Sequence, residues 1–233
     1  MELRQALRTT GATRSFTDSE IDRETIAAIL DDARFAPSGG NRQAWRVIVV
    51  EDAAKRLALR DIYLDTWHDY IAHILGGLIP FSPLATDDDR AVAAAKRDDA
   101  IAISKPDGFA ETLHESPVLL LVLADLSLLA ALDRDLDRYQ FAGGGSIYPF
   151  VWNIILAARD RGLGGVMTTM AVRYEDRVFE LFDVPEGFGV AAVVALGEPT
   201  KALSKLTRQD VASFATYDSF SGPVVENPNS AES

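Results

Sequence analysis

The hydrophobic positions of this chain follow two different periods. Between Arg23 and Arg34, apolar residues recur every three or four positions, at Ile26, Ile29, Leu30 and Ala33. This spacing predicts a helix with one buried face, and Asp22 is a suitable N-cap for it. Short continuous apolar segments instead predict buried strands, and they occupy residues 45–50, 117–124, 166–170 and 190–196. Helices interleaved with about four strands favour an α+β fold over a doubly wound parallel sheet.

Further helices are predicted from periodicity and composition. They cover residues 2–7, 63–75, 86–103, 125–139, 147–161 and 174–182. The helix at residues 147–161 is apolar on nearly all sides, apart from Asn153, so every side of it must be buried. A position between two subunits would satisfy that requirement.

Composition narrows the class of protein. The 233 residues are 48% hydrophobic, which is enough for a sizeable core, and we expect a single domain over residues 1–233. The net charge of −12 opposes binding to nucleic acid or to an anionic membrane. The absence of cysteine excludes disulfides, thiolate catalysis and iron–sulfur clusters, and the three scattered histidines argue against a metal site.

The chain shows no targeting segment. Residues 1–16 lack the apolar run of a signal peptide, and no apolar run approaches the roughly 20 residues needed to cross a bilayer. We therefore expect a soluble cytoplasmic protein.

The most informative stretch is Ala36-Pro37-Ser38-Gly39-Gly40-Asn41-Arg42-Gln43-Ala44-Trp45. It joins a predicted helix to a predicted strand, so it must be a tight connection whose backbone amides are available to a ligand. Two adjacent glycines allow the backbone to approach a flat or anionic group closely. The alternative interpretation is a glycine-rich turn whose polar residues satisfy its own backbone.

This stretch resembles the signature loop of the FMN-dependent nitroreductase family, A-P-S-[GS]-x-N-x-Q-P-W. It departs only at Ala44, where the family usually has proline. The resemblance implies a nitroreductase-like α+β fold, with a central, mostly antiparallel sheet flanked by helices, in an intertwined homodimer. It also implies bound FMN, with Pro37, Ser38, Gly39, Asn41 and Gln43 among the cofactor-binding residues.

A second motif of the family lies near the N-terminus. The usual pattern is R-[RH]-S-x-[RK]-x-F, and alignment on Phe16 makes Arg14 the basic residue beside the flavin ring. Thr10, Gly11 and Ala12 replace the residues that bind the FMN phosphate in the family. Thr9, Thr10 or Arg8 could substitute for them, and the sequence does not choose among these three.

The resemblance continues in the C-terminal half. The helix containing Asn153 closes with Gly162-Leu163-Gly164, as in the family, and Thr168 and Thr169 occupy a place where the family contacts the flavin ring. An ordinary strand is the alternative interpretation there. Residues 200–233 match an extension that wraps the partner subunit, and Arg208 matches its phosphate-binding residue. We expect residues 227–233 to be disordered.

Residues 64–115 have no counterpart in the family pattern. We predict that this segment, called the excursion below, lies over the site as a lid or a substrate-selecting segment. Its aromatic residues at helical spacing are first interpreted as packing, although some could line a substrate pocket.

The function implied by the resemblance is electron transfer from NAD(P)H through FMN to a small aromatic acceptor such as a nitroaromatic or a quinone. No constellation of Asp, Glu or His suggests acid–base catalysis, so no catalytic side chain is assigned. Two alternatives stay open: a flavin store or sensor without turnover, and an interaction protein without a ligand.

Overall fold

The computed structural model describes residues 1–201 and 204–227. The disorder predicted for residues 227–233 therefore concerns, from residue 228 onward, a segment outside the described residues. Seven helices and four strands are found in these ranges. The helices are α1 (Leu3–Thr9), α2 (Arg23–Ala33), α3 (Ala53–Leu75), α4 (Asp87–Ala95), α5 (Arg97–Ala102), α6 (Tyr148–Asp160) and α7 (Glu175–Phe182). The strands are β1 (Trp45–Val49), β2 (Val118–Asp125), β3 (Gly164–Thr168) and β4 (Phe188–Gly197).

The four strands form one sheet in the order β1-β2-β4-β3, and every neighbouring pair is antiparallel. The predicted α+β fold with an antiparallel sheet is therefore confirmed. The two central strands, β2 and β4, are the ones with the longest apolar runs in the sequence. Strands covered on both faces need apolar side chains at every position, which explains why these runs do not alternate.

The sheet separates two hydrophobic cores, because successive side chains of a strand point to opposite faces. On one face, Leu120 and Val122 of β2 pack with α2 and α6. On the other face, Leu119 and Leu121 pack with residues of α3 and α7. All four of these side chains are fully buried.

Helix α6 is buried on three sides and open on the fourth. Val151, Ile154 and Ala158 are completely buried, whereas Tyr148 and Trp152, one turn apart, are 40% and 36% exposed. The sequence predicted burial on all sides, and this protomer leaves that one apolar strip uncovered.

The helix predicted at residues 125–139 is wrong, since this segment is a series of turns. Asp133 explains the difference. Its carboxylate is almost fully buried and accepts hydrogen bonds from the backbone N–H groups of Phe141 (2.8 Å) and Ala142 (3.0 Å) and from Arg138 (3.1 Å). These N–H donors hold the pKa of Asp133 below its usual value. Asp side chains that bond nearby backbone groups compete with helix formation.

Other boundaries also differ from the sequence prediction, and α3 begins at Ala53 instead of at the predicted residue 63. Residues 86–103 form two helices, α4 and α5, which meet at Lys96, and α4 begins with a capping box between Thr86 and Asp89. Strand β3 begins two residues earlier than predicted and ends at Thr168. Throughout residues 1–201 and 204–227, no helix is both long and apolar enough to cross a bilayer.

Candidate functional site

A cavity of about 740 Å³ lies between β3, the N-terminal segment and the 64–115 excursion. One wall contains Arg14, Thr168 and Thr169, all three predicted from the sequence. Most of the other lining residues come from α3, α5 and the connection that follows α5. The residues around the cavity are Arg14, Tyr63, Trp67, Tyr70, Ile71, Ala100, Ile103, Ser104, Lys105, Gly108, Phe109, Ala110, Glu111, Val166, Met167, Thr168, Thr169 and Met170.

Close backbone packing places Arg14 beside β3. The Thr13 N–H donates to the Gly165 carbonyl at 2.9 Å, and Ala12 pairs with Gly165 in a short parallel bridge. A side chain on Gly164 would lie only 2.6 Å from the Thr13 hydroxyl, so glycine is required for this approach. Arg14 follows directly and lines the cavity next to Thr168.

Aromatic rings from α3 and the connection after α5 line much of the cavity. The Trp67 ring stacks on Tyr70 with centroids 5.4 Å apart, and Tyr63 lies 6.4 Å from Trp67 and 6.3 Å from Phe109. Burial raises the pKa of the Tyr63 phenol, which is hydrogen-bonded to the Thr168 side chain. The aromatic spacing in α3 was therefore a signal for the pocket as well as for packing.

The excursion also contributes a polar corner that the sequence prediction missed. The Ser104 hydroxyl donates to a Glu111 carboxylate oxygen, and the His68 Nε2 lies 3.4 Å from the same hydroxyl. Burial and the nearby Arg97 lower the pKa of His68. Nothing in the sequence pairs these three residues, because His68 and Ser104 are 36 positions apart.

Ion pairs attach the excursion to the segment that follows β3. Asp69 of α3 binds Arg97 of α5 at 2.9 Å and lies 3.5 Å from Arg173. Asp65, one turn earlier, binds Arg177 of α7 at 2.7 Å. The lid assignment for residues 64–115 stays a prediction, and these contacts hold the region against the pocket.

The Pro37 loop has fewer available amides than predicted. The Gly39 N–H donates to the Ser146 hydroxyl and the Gln43 N–H to the Ser38 hydroxyl, both at 3.0 Å. The amide of Asn41 bonds within the turn as well. The prediction of free amides is therefore wrong at these positions, because the loop satisfies them internally.

The loop instead presents side chains from a strained backbone. Gly40, Asn41 and Gln43 all have positive φ, at 60°, 52° and 51°. Positive φ is uncommon for residues other than glycine, and such strain concentrates at ligand-binding sites. The exposed side chains of Asn41 and Gln43 are thus the loop's main candidates for ligand contacts.

Within one protomer, the predicted site residues fall into three separate groups. Arg14, Thr168 and Thr169 line the cavity at the β3 edge of the sheet, whereas the loop of residues 37–43 precedes β1 at the opposite edge. Three strand spacings separate these edges, about 14 Å. Arg208 is in the tail, exposed, and donates to the carbonyl of Thr207.

Thr10 faces the interior. Its side chain is only 4% exposed and borders a cavity of about 10 Å³, whose size is close to the minimum for one water molecule and too small for a phosphate. In this arrangement Thr10 does not replace the family's phosphate-binding residues.

Comparisons with known proteins agree with this architecture. A family model described as the nitroreductase family matches residues 7–198. The chain is 30% identical to 5,6-dimethylbenzimidazole synthase of Rhodospirillum rubrum over 192 residues, which covers 80% of this chain and 76% of that protein. It is 24% identical to a nitrobenzene nitroreductase of Ectopseudomonas oleovorans, covering 88% and 92% of the two chains.

Solved structures share the fold. A structure of iodotyrosine deiodinase bound to FMN and 3-iodo-L-tyrosine has a TM-score of 0.64 and 21% identity, covering 94% of this chain and all of that one. A nitroreductase family protein from Clostridium difficile has a TM-score of 0.59 at 18% identity and covers 94% of this chain and 99% of its own. With the match over residues 7–198 and the antiparallel sheet, these findings establish that the chain belongs to the nitroreductase family.

Proposed function

We propose that this protein is an FMN-dependent oxidoreductase that passes electrons from NADH or NADPH to a small aromatic acceptor. The observation that carries the proposal is the cavity itself, which combines a cation, a strand edge and an aromatic wall in one space. Membership of the nitroreductase family and the FMN-bound neighbour of the same fold support the choice of cofactor. The nitrobenzene nitroreductase among the relatives supports an aromatic acceptor.

The cavity residues fit a flavin. A volume of about 740 Å³ is within the range of small-molecule sites. No acidic side chain in the described ranges lies within 4.0 Å of Arg14, so its charge is available to a ligand. Thr168 is at the end of an edge strand, where backbone groups have no further strand to pair with.

Bound FMN would supply the hydride chemistry. Arg14 would stabilise negative charge that develops on the reduced ring, and Thr168 and Thr169 would orient the ring from the strand edge. Trp67, Tyr70 and the lid residues would exclude water and stack against a flat acceptor.

The separation of the Pro37 loop from the cavity leads to a second part of the proposal. We propose that a second copy of this chain brings its loop, with Asn41 and Gln43, to the cavity of the first. The uncovered strip of α6 at Tyr148 and Trp152 would be buried in the same interface. The tail has exposed aromatic residues, with Phe214 69% and Phe220 fully exposed, which a partner subunit would cover.

This homodimer is expected to be required for folding, since it buries apolar surface that the protomer leaves exposed. Sedimentation should therefore give a dimer at micromolar concentration, and thermal stability should rise with protein concentration. A folded monomer that binds FMN with ordinary affinity would contradict the assembly.

The function itself is tested by spectroscopy and turnover. The purified protein, after incubation with FMN and desalting, should retain a flavin absorption band. It should then oxidise NADH or NADPH faster when nitrobenzene or a quinone is added. If the protein retains flavin but shows no acceptor-dependent oxidation of NADH or NADPH, a flavin store or sensor is favoured. If it retains no flavin, the proposed function is wrong.

Arg208 stays a proposed phosphate anchor. Thr10, Gly11 and Ala12 stand where the family has its phosphate-binding residues, so fewer cations remain to balance the FMN phosphate, and Arg208→Ala should weaken FMN binding about tenfold to a hundredfold. Arg208→Lys should recover only part of this affinity, because the charge survives and the bidentate fork does not. Fluorescence titration of the apo-protein with FMN measures both. An unchanged dissociation constant for Arg208→Ala would leave Lys205, which is a nearby exposed residue of the tail, Arg8 or a nest of backbone N–H groups as the phosphate anchor.

A further inference from the structure

We propose that Glu111 makes the pocket selective for aromatic molecules that carry a positively charged amino group. This inference rests on the proposed function only in taking the 740 Å³ cavity as the place where the acceptor binds. Among the described residues that line the cavity, Glu111 is the one acidic side chain.

The Glu111 carboxylate is held in a fixed position. The Ser104 hydroxyl has a single hydrogen, which it donates to Oε1 of Glu111. In its contact with His68 Nε2, the Ser104 oxygen can therefore only accept a hydrogen bond. This assigns the single ring proton of neutral His68 to Nε2. The second oxygen, Oε2, packs against Gly108, where an added side chain would come within 2.4 Å of it.

The Glu111 carboxylate has no ion-pair partner in the described ranges. Arg14 and Lys105 line the same cavity and Arg60 donates to the Glu111 backbone carbonyl at 2.7 Å, yet none of these three cations lies within 4.0 Å of the carboxylate. A carboxylate accepts hydrogen bonds and donates none, so its natural ligand is a donor with positive charge. Glu111 is also half-buried, which strengthens the interaction relative to bulk water.

The rest of the cavity suits such a molecule. The stacked rings of Trp67 and Tyr70 can hold an aromatic body, and aromatic faces also attract cations. Arg14 also lines the cavity and repels an ammonium group, so the charge of a cationic acceptor would lie toward Glu111 and away from Arg14.

Three acceptors of similar shape test this selectivity: 4-nitrobenzylamine, 4-nitrobenzyl alcohol and 4-nitrobenzoate, which are cationic, neutral and anionic at pH 7. The wild-type enzyme should show the highest kcat/KM with the amine and the lowest with the acid. In Glu111→Gln, the ratio of kcat/KM for the amine to kcat/KM for the alcohol should fall about tenfold. An unchanged ratio would overturn the proposal.

Glu115→Gln is the matched control. It removes the same charge four positions away, from an exposed residue outside the cavity, and should leave the ratio unchanged. If the amine-to-alcohol ratio fell equally in Glu111→Gln and Glu115→Gln, the proposal would be overturned. The preference would then come from the long-range effect of net charge and not from a contact with Glu111. Ser104→Ala should lower the amine-to-alcohol ratio by less than Glu111→Gln does. The double variant should show the same ratio as Glu111→Gln alone.

Binding measured without turnover separates this inference from the proposed function. Calorimetry with benzylamine and benzyl alcohol, which are not reduced, should show tighter binding of the amine, and Glu111→Gln should abolish the difference. If the enzyme fails to reduce any acceptor but keeps this Glu111-dependent preference, the inference stands and the proposed function falls. Equal binding of the two compounds by the wild-type protein would overturn the inference.

Discussion

Replacing Arg14 with alanine should weaken FMN binding by about one to two powers of ten. Arg14 lines the cavity together with Thr168, follows a residue that is hydrogen-bonded to β3, and has no ion pair within the described ranges. A charge-assisted contact of this kind has a free energy that corresponds to such a change in affinity. Fluorescence titration of the apo-protein with FMN measures it.

The same substitution should lower the reduction potential of the bound flavin by at least about 30 mV, because a cation stabilises the reduced form more than the oxidised form. Arg46→Ala is a suitable control, since it removes an exposed arginine from β1, on the edge of the sheet away from the cavity. If Arg14→Ala changes neither the dissociation constant nor the potential, Arg14 does not contact the flavin.

Replacing Gly164 with alanine should lower the free energy of unfolding by about 1–3 kcal/mol. The new methyl group would lie within 2.6–2.9 Å of three side-chain atoms of Thr13. Thr13 cannot withdraw freely, since its N–H is bonded to the Gly165 carbonyl and Ala12 pairs with the same glycine. Urea denaturation of the purified variant measures the loss.

Gly164→Ala should also reduce FMN affinity without touching the cofactor, because a shift of Thr13 displaces Arg14. The matched control is Gly189→Ala in β4, where the added methyl group meets its nearest neighbour at an ordinary 3.6 Å. A Gly164→Ala protein with wild-type stability would contradict the packing argument. A destabilised variant with unchanged FMN affinity would show that the packing at Gly164 does not control the position of Arg14.

Local patterns predicted the parts of the fold that depend on near neighbours. Asp22 caps α2 through the Thr25 N–H, as its residue type and position indicated. The apolar runs of β2 and β4 are the central strands, because only strands covered on both faces require apolar residues throughout. Trp45, the first residue of the strand predicted at residues 45–50, is partly buried against the core and stacks on Phe150 with ring centroids 4.6 Å apart.

The errors come from side chains that bond backbone groups. The Asp133 carboxylate accepts hydrogen bonds from the N–H groups of Phe141 and Ala142, and residues 126–142 form turns although their composition favours a helix. Likewise, the Ser38 and Ser146 hydroxyls occupy amides of the Pro37 loop that were expected to be free. Helix propensity and loop composition do not report such bonds, since each depends on where one oxygen lies after folding.

The sequence by itself determined the family and the antiparallel α+β fold, because motifs and apolar periods are local properties, and it singled out Arg14, Thr168 and Thr169, which line one cavity. Only the tertiary structure decided that the Pro37 loop lies at the opposite edge of the sheet from that cavity. It alone joined His68, Ser104 and Glu111 into the polar corner. Distances between residues far apart in the chain follow from strand order and helix packing, and no local pattern encodes either.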